Sequence, residues 1–225
     1  MKFLLFILLN AASIFAIGQS RGYAGYIRMG SMGVPDARDV FPRLMPGITG
    51  FTSNFTGIGG ELEYRSNRTV VDAELMILSH GPVNSGDSYA EPFTGGAILK
   101  AGYVALQTRN FLMYPNAGAG FGAVVVNTYQ KSGDVKNKLH SIYLLQSVLD
   151  FGLNSNVIVY RFKNQTPTGI LPVGVRAGYR LSFASHDWRR TNGRLVPGGL
   201  FDAGMVSVCR VRYGIYYIKR KIKHK

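Results

Sequence analysis

The stretch Val173–Phe183, VGVRAGYRLSF, points to the fold, because its two sets of alternate residues differ in character. Odd positions carry Val, Val, Ala, Tyr, Leu and Phe, and even positions carry Gly, Arg, Gly, Arg and Ser. Successive side chains of a β-strand point to opposite faces, so the stretch predicts a strand with an apolar face and a glycine–arginine face. In a soluble sandwich the apolar face would form the core, whereas in a membrane barrel it would meet lipid.

The last predicted strand, Met205–Tyr217, repeats this arrangement. Every second residue from Met205 falls on one face, and Arg210, Arg212 and Gly214 share the other. Two arginines two residues apart therefore again share a face with glycine. Both strands pose the same question, which is whether the arginine face is turned to water or to an enclosed interior.

The N-terminal residues differ from the rest of the chain. Lys2 precedes an apolar run over residues 3–17, and small residues flank the point where a signal peptidase would cut. This pattern predicts a secretory signal peptide that is cleaved near Gln19. We therefore divide the chain into a signal peptide (1–18), a barrel domain (19–218) and a basic tail (219–225).

Alternation along the barrel domain predicts eight strands, or ten if Val157–Phe162 forms an extra strand with a partner. The eight segments are 23–34, 57–65, 69–78, 94–107, 111–129, 142–153, 173–183 and 205–217. Tight turns are predicted at Ser66–Arg68 and Thr108–Asn110. Long loops are predicted at 35–56, 80–92, 131–140 and 184–203. Short turns at one end and long loops at the other are typical of bacterial outer-membrane barrels.

Charged residues of the predicted strands collect on one face, which we take as the lumen. That face carries seven basic and five acidic residues, and the opposite face of the same segments carries none. A charge at the middle of a bilayer costs about 2–4 kcal/mol, so a charge-free face over seven strands is what hydrocarbon requires. The predicted lumen charge network is Arg28, Glu61, Glu63, Arg65, Asp72, Glu74, Lys100, Asp150, Arg176, Arg180, Arg210 and Arg212.

The predicted fold class is all-β, an antiparallel up-and-down transmembrane barrel. A barrel of about eight strands has an interior just wide enough for side chains to fill. Interleaved arginine and carboxylate side chains would pair there and block the bore, so we predict a plugged barrel without a diffusion pore. The alternative is a soluble lipocalin-like barrel, whose inward face should be apolar and whose outer face should be charged.

The remaining charge lies on the predicted loops and tail, with 18 basic and 7 acidic residues when Lys2 is excluded. Loops that face outward would meet lipid phosphates, which guanidinium groups bind well; the alternative is a solvated loop without a specific partner. The candidates for contact with lipopolysaccharide and other outer-membrane lipid are Lys131, Lys136, Lys138, Arg189, Arg190 and Arg194. Export and the absence of a recognition-helix motif argue against nucleic acid as a partner.

The chain resembles the small outer-membrane β-barrel proteins of Gram-negative bacteria, and its glycine- and tyrosine-rich pattern looks most like the Bacteroidota type. The resemblance is carried by residues 173–183, by the hairpin GGELEYRSNRTVVDAEL (59–75) and by the signal peptide, and it spans roughly residues 19–218. It implies an integral outer-membrane protein and no particular activity. Such barrels usually end on an aromatic residue, whereas here Tyr217-Ile218 is followed by KRKIKHK.

Some small outer-membrane barrels are lipid-modifying hydrolases or acyltransferases, which need a serine that a histidine activates. Serine and histidine are neighbours at Ser79-His80, at His140-Ser141 and at Ser185-His186-Asp187. Adjacent residues of a strand point apart, so none of these is a nucleophile–base pair by itself. We therefore expect a non-enzymatic structural or binding platform without cofactor or metal site. The alternatives are a lipid-modifying enzyme and an accessory subunit of an envelope secretion or gliding complex.

Overall fold

The computed structural model describes residues 20–34, 37–45, 47–132, 135–162, 168–184, 188–190, 195–196 and 204–220. Predictions that fall elsewhere lie outside the described residues; among them are the signal peptide, the triplet Ser185-His186-Asp187 and the basic residue Arg194.

Eight long antiparallel strands close into a ring. In chain order the elements are β1 (Ser20–Gly33), α1 (Ala37–Leu44), β2 (Asn54–Ser66), β3 (Thr69–Ser79), β4 (Val83–Ser85), β5 (Ser88–Tyr103), β6 (Leu106–Gln107), β7 (Phe111–Ser132), β8 (Val135–Phe162), β9 (Thr168–Ala184), β10 (Trp188–Arg190), β11 (Leu195–Val196) and β12 (Gly204–Arg220). Each long strand pairs with the next long strand, and β12 pairs back to β1. The predicted eight-stranded up-and-down barrel is confirmed.

The number of strands and their stagger together set the width of this barrel. Directly paired residues lead from Arg28 through β2, β3, β5 and β7 to Gln146 of β8. In the other direction they lead through β12 and β9 to Asn156 of the same strand. The two positions differ by ten residues (156 − 146), which is the stagger that closes the ring. Eight tilted strands enclose an interior that side chains fill.

The two predicted tight turns lie at one end of the barrel, called the turn end here. Ser66 pairs with Thr69, and Asn67 between them has a φ of 56°, a left-handed conformation that asparagine tolerates better than most residues. At the second turn the Phe111 N–H donates to the Thr108 hydroxyl at 3.1 Å, and the Thr108 N–H donates to the Phe111 carbonyl at 2.8 Å. Short connections therefore join strands at the turn end, as the sequence predicts.

The prediction of a loop over 131–140 is wrong, because β7 runs to Ser132 and β8 begins at Val135, so the two strands continue as one long hairpin. The prediction of an extra strand at Val157–Phe162 is also wrong, since this segment is the end of β8. This hairpin extends beyond the belt of exposed apolar side chains that surrounds the barrel. Its strands therefore need no apolar face, and their sequence has the polar pattern that is typical of a loop. The other long loops contain β4, β10, β11 and α1.

The pairing of β12 interrupts its predicted alternation. Its register shifts between Ser207 and Arg210 against β9, and between the partners of Gly30 and Ser31 on β1. Val211 lies opposite the outward Val175, yet Met205 lies opposite the inward Arg180. The prediction that Met205–Tyr217 keeps one continuous face is therefore wrong, because a bulge inserts an extra residue and changes which positions share a face.

The opposite end of the barrel, called the cap end, is closed by the segment between β1 and β2. Ala37 and Phe41 share one face of helix α1, Met45 follows directly after its end, and all three are buried. They join an apolar cluster with Val34, Ile48, Phe51 and Phe55 and with strand residues of the interior. Among the described residues, no helix is long and apolar enough to cross a bilayer.

Candidate functional site: the charged lumen and the outer sheet

The structure places ten of the twelve predicted network residues on the lumen face. The ten whose side chains are described are buried, none more than 7% exposed. Register places the other two: Arg210 pairs with Gly30 and Arg176, and Arg212 pairs with Arg28 and Gly174. Large apolar residues face the other way; Leu62, Leu75 and Phe121 are 71%, 66% and 76% exposed.

Glu74 is the centre of a cluster of ion pairs in the middle of the barrel. Its carboxylate contacts Arg28, lies 2.6 Å from Lys100 Nζ and lies 3.1 Å from Arg180 Nη2. Lys100 Nζ also lies 2.9 Å from Asp72 Oδ1 and 3.2 Å from Glu61 Oε2. Strands β1, β2, β3 and β5 thus contribute one connected group of charges.

Asp150 forms a second centre on the opposite wall. It pairs with Arg176, and it accepts hydrogen bonds from Arg180 Nε at 2.9 Å and Nη2 at 2.8 Å. Arg180 of β9 also reaches Glu74 of β3, so its guanidinium joins the two groups across the lumen. Arg176 Nη2 donates to the Asn116 amide oxygen at 3.2 Å.

Among the described side chains, the joined network is charge-balanced. Four acidic residues, Glu61, Asp72, Glu74 and Asp150, share four basic residues, Arg28, Lys100, Arg176 and Arg180. Buried charges carry a large desolvation cost that mutual attraction offsets only when every group is paired. Loss of any one partner would therefore leave an uncompensated charge in the interior.

Two further network residues, Glu63 and Arg65, lie nearer the turn end. Tyr114 donates its hydroxyl proton to the Glu63 carboxylate at 2.6 Å. Arg65 Nε donates to the Asn67 carbonyl at 2.9 Å, and its guanidinium also bonds to Gln107. Arg65 thereby holds the turn between β2 and β3 against the strand β6.

Inward glycines of β7 and β8 make room for these long side chains. A Cβ at Gly152 would lie 2.7 Å from the Nε of Arg176, and a Cβ at Gly118 would overlap the side chain of Lys100. Real Cβ atoms do not approach so closely, so glycine at these positions lets charged side chains lie flat against the wall. The glycine face of the predicted strands is thus part of the charge network.

A small cavity lies between the charged layer and the cap. A cavity of about 10 Å³ is lined by Arg180, Gln146, Met32 and Leu78, among others. That volume holds about one water molecule. In the described part of the chain, side chains therefore fill the bore where this cavity lies.

The described contacts of the serine–histidine neighbours join them to other parts of the barrel and not to one another. His80 Nε2 accepts from the Thr52 N–H at 2.8 Å, and its ring packs edge-on against Phe55 at 5.4 Å, so it holds the cap segment. Ser141 donates to the Asn127 amide oxygen at 2.6 Å. Among the described residues, no group of three His, Cys, Asp or Glu side chains is arranged to hold a metal ion.

Outside the apolar belt, the cap end carries an open sheet. Strands β4, β5, β7, β8, β10 and β11 pair side by side there, and we call this part the outer sheet. Lys131, Lys136 and Lys138 lie in the strands of its hairpin, not in a loop as predicted. Arg189 and Arg190 lie in β10, next to Tyr143 and Ile142 of β8.

Two tyrosines and a lysine form an ordered group on the outer sheet. The rings of Tyr89 and Tyr129 stack with centroids 4.8 Å apart and planes inclined by 8°. Lys131 Nζ lies 5.9 Å from the Tyr89 ring centroid, which is cation–π distance. Tyr129 pairs directly with Lys138, which is exposed, so basic groups flank the aromatic pair.

Sequence reasoning missed the neutral partners of the network, Tyr114, Asn116 and Gln107. The first two share the parity of the inward glycines of β7, and this signal could have identified them. Gln107 gives no such signal, because it lies in the short strand β6 beside the turn.

Comparisons with known proteins support the fold. No protein-family model and no curated protein matches the chain. Among solved structures, a major outer membrane protein of Thermus thermophilus is similar at 11% identity and a TM-score of 0.50, covering 88% of this chain and 99% of that one. Ail of Yersinia pestis, in complex with the heparin analogue sucrose octasulfate, is 12% identical with a TM-score of 0.43, covering 90% and 99%. The outer membrane protease OmpT of Escherichia coli is 10% identical with a TM-score of 0.33, covering 89% and 96%.

These identities are low, so the likeness concerns the fold and extends to no activity. The closed antiparallel ring, the buried charges and the apolar exterior define the class: the chain has the fold of outer-membrane β-barrels.

Proposed function

We propose that the protein is an integral outer-membrane barrel that serves as a non-enzymatic binding platform, with a plugged lumen and its binding surface at the cap end. One observation carries the proposal: the barrel is polar inside and apolar outside. The outward positions of β2, of β3, of residues 23–33 and of residues 171–183 bear no charged side chain. Such an exterior suits hydrocarbon, and an unpaired charge would be costly there.

Labelling of single cysteines tests this placement. Leu62→Cys and Ser182→Cys, each in a Cys209→Ser background, put a thiol on the exterior and in the lumen. In native outer-membrane vesicles, a lipid-soluble maleimide should modify the first variant and a water-soluble one should not. Rapid modification of Leu62→Cys by the water-soluble reagent would contradict the proposal and favour a soluble barrel. Ser182→Cys controls for lumen access and should react with neither reagent before unfolding.

The plugged lumen has its own test. The charge network and the cap cluster occupy the bore, so we expect no large and stable conductance in planar bilayers. A steady conductance of the size that open porins give would contradict the plug, and it would leave the membrane placement standing.

For the outer sheet, we propose contact with the phosphate groups of lipopolysaccharide. Its support is the stacked Tyr89 and Tyr129 beside Lys131 and Lys138, because aromatic rings suit the membrane interface and ammonium groups pair with phosphate. Nearby Lys136, Arg189 and Arg190 add charge by their register. Arg194 belongs to the same proposal by sequence alone.

Binding to lipopolysaccharide nanodiscs tests the outer sheet. Lys131→Gln with Lys138→Gln should weaken binding severalfold, and the loss should shrink at high salt because surface charges are screened. Arg68→Gln with Arg109→Gln removes two charges at the turn end and should leave binding unchanged. Equal binding by both double variants would contradict the proposed contact.

The enzyme alternative is tested by lipid turnover. His80→Ala, His140→Ala and His186→Ala remove the possible bases, and we expect the wild type and all three variants to leave lipid A and phospholipid unaltered. Turnover by the wild type that one substitution abolishes would establish the lipid-modifying alternative instead.

The remaining alternative is a subunit of an envelope secretion or gliding complex. Gentle detergent extraction followed by co-purification separates it from a lone barrel, and a stable, stoichiometric envelope partner would support it. The assignment to the Bacteroidota type remains a prediction that rests on the glycine- and tyrosine-rich pattern.

A further inference from the structure

The two ends of the barrel differ in the charge that the sequence gives them. Of the 18 basic and 7 acidic residues outside the predicted lumen network, all 7 acidic and 8 basic residues belong by chain position to the cap end. The other 10 basic residues belong to the turn end. The turn-end segments without any acidic residue are 19–23, 64–71, 101–113, 157–169 and 216–225. The cap end is thus nearly balanced, whereas the turn end outside the lumen is uniformly basic.

Three turn-end arginines have described side chains, and none of the three pairs with a carboxylate in the described part of the chain. Arg109 is exposed, and Arg68 and Arg161 are half-buried. Arg68 Nη1 donates to the Tyr103 hydroxyl at 3.4 Å, and the Arg161 guanidinium donates to the Arg109 carbonyl. A guanidinium has five N–H donors, so most of these donors remain available to an acceptor outside the chain.

Backbone hydrogen bonds hold these arginines along one arc of the rim. The Val104 N–H donates to the Arg68 carbonyl at 2.8 Å, which ties the end of β5 to the turn between β2 and β3. The Ile158 N–H donates to the Asn110 carbonyl at 2.8 Å, which ties β8 to the turn before β7. The cationic groups therefore project from ordered backbone.

The side chains that approach this rim follow the same order on different strands. An exposed aliphatic residue comes first, then a tyrosine, and then an arginine at the rim. On β2 and its turn these residues are Leu62, Tyr64 and Arg68, and on β8 they are Val157, Tyr160 and Arg161. The ring of Tyr64 also lies 4.9 Å from that of the exposed Tyr23. Tyrosine favours the boundary between hydrocarbon and water, and the long stem of arginine lets its charge reach the polar side of that boundary.

We propose that the turn end binds the headgroup phosphates of anionic phospholipids, in the leaflet opposite to the one that the outer sheet contacts. This inference rests on the membrane placement proposed above. Guanidinium pairs with phosphate through parallel hydrogen bonds, and a negatively charged leaflet attracts basic residues at its surface. Because the turn end has no exposed acid, an anionic headgroup meets no like charge there. A partner in the aqueous space would not require tyrosines between the arginines and the apolar belt.

Photoreactive lipids test this contact. The full chain is reconstituted into phosphatidylcholine nanodiscs that contain a small fraction of photoreactive phosphatidylglycerol, or of photoreactive phosphatidylcholine with the same acyl chains. Mass spectrometry then locates the cross-linked peptides. At low salt, phosphatidylglycerol should label the turn-end peptides about fivefold more than phosphatidylcholine does, which is the affinity that one basic residue near an anionic surface contributes. The excess should shrink at high salt, because surface charges are screened.

Variants separate charge from structure. The triple variant Arg68→Gln, Arg109→Gln, Arg161→Gln should lose the excess labelling, and the corresponding triple lysine variant should keep most of it because the charges remain. Lys131→Gln with Lys138→Gln, on the outer sheet, is the matched control and should keep the turn-end excess. Heat-modifiable gel migration shows that each variant is folded. If the triple glutamine variant does not fold, Arg109→Gln alone decides and should lower the excess.

Equal labelling of the wild-type turn end by the two lipids, with the apolar belt around Leu62 labelled by both, would overturn this inference and leave the membrane placement standing. An unlabelled belt would instead contradict the membrane placement, and this inference with it. An undiminished excess in the triple glutamine variant, or in Arg109→Gln where the triple does not fold, would also overturn it. Equal lipid labelling together with binding to purified peptidoglycan that the triple glutamine variant loses would assign the basic rim to the cell wall.

Discussion

The interior of the barrel is filled in two different ways, and the contrast shows what each filling does. At the cap end, apolar side chains pack together, and many come from α1 and the segment after it, outside the strands. In the middle, eight charged side chains fill the lumen, and all of them come from strands. The side chains that fill the middle thus belong to the barrel strands, whereas many of those that fill the cap end belong to the segment between β1 and β2.

The two fillings should respond differently to substitution. Apolar packing is nondirectional and tolerates changes that conserve volume. A buried ion-pair network requires each partner, because a remaining charge has neither water nor counter-charge. The charged middle should therefore be the less tolerant layer, and the following changes test that expectation from the largest effect to the smallest.

Glu74→Leu should have the largest effect, about 3–5 kcal/mol of unfolding free energy, because it leaves Arg28, Lys100 and Arg180 with too little negative charge. Urea unfolding in micelles, followed by gel migration, measures the loss. Asp87→Asn removes one charge from an exposed turn and is the matched control. If Glu74→Leu were as stable as Asp87→Asn, the charged middle would not be the less tolerant layer.

Phe41→Ala should cost about 3 kcal/mol, because it empties a fully buried site in the cap cluster. We expect much of this effect to be local: hydrogen exchange in α1 should accelerate while the strands stay protected. Phe121→Ala removes the same ring from the exterior and should change little. Global unfolding at the same urea concentration as loss of the cap would show that the two layers are one cooperative unit.

Gly152→Ala should cost about 2 kcal/mol, since the new methyl group would force the Arg176 guanidinium from its place beside Asp150. Gly25→Ala is the control, because the nearest heavy atom to its Cβ would be 3.9 Å away. Thermal midpoints of the two variants give the comparison. A smaller decrease in the thermal midpoint for Gly152→Ala than for Gly25→Ala would mean that the structure around Gly152 shifts readily to accommodate a methyl group.

His80→Ala should have the smallest effect, about 1 kcal/mol, through loss of one acceptor for the Thr52 N–H. Hydrogen exchange of the Thr52 amide should rise, and the charged middle should not respond. Thr52→Ala keeps the backbone donor and should leave that amide protected. Loss of protection in both variants would mean that the histidine is not what holds the segment.

Much of the charged layer was predictable from sequence. Alternation in the strands assigns Glu61, Glu63 and Arg65 to one face, and the structure finds all three buried. The pattern fails at Met205, where a bulge breaks the period of two. It also fails at Lys131–His140, because a hairpin beyond the apolar belt has no apolar face to mark it.

The partners within the layer were not predictable. Arg180 and Glu74 are 106 residues apart in sequence, and their meeting depends on the ten-residue stagger of the closed ring. Whether a residue occupies an odd or an even position of its strand predicts which face of the sheet it lies on. It does not predict where the residue lies along the barrel axis relative to residues of a distant strand. Likewise, nothing in residues 35–56 showed that α1 turns inward over the barrel mouth.

The amino-acid sequence by itself determined which side chains face inward wherever a strand keeps its period of two, since that period is a local property of the backbone. The tertiary structure alone decided which acid meets which base, how the first connection closes the cap end, and that arginines of β12 lie opposite arginines of β1 and β9. These depend on ring closure, which sets the relative heights of strands far apart in the chain.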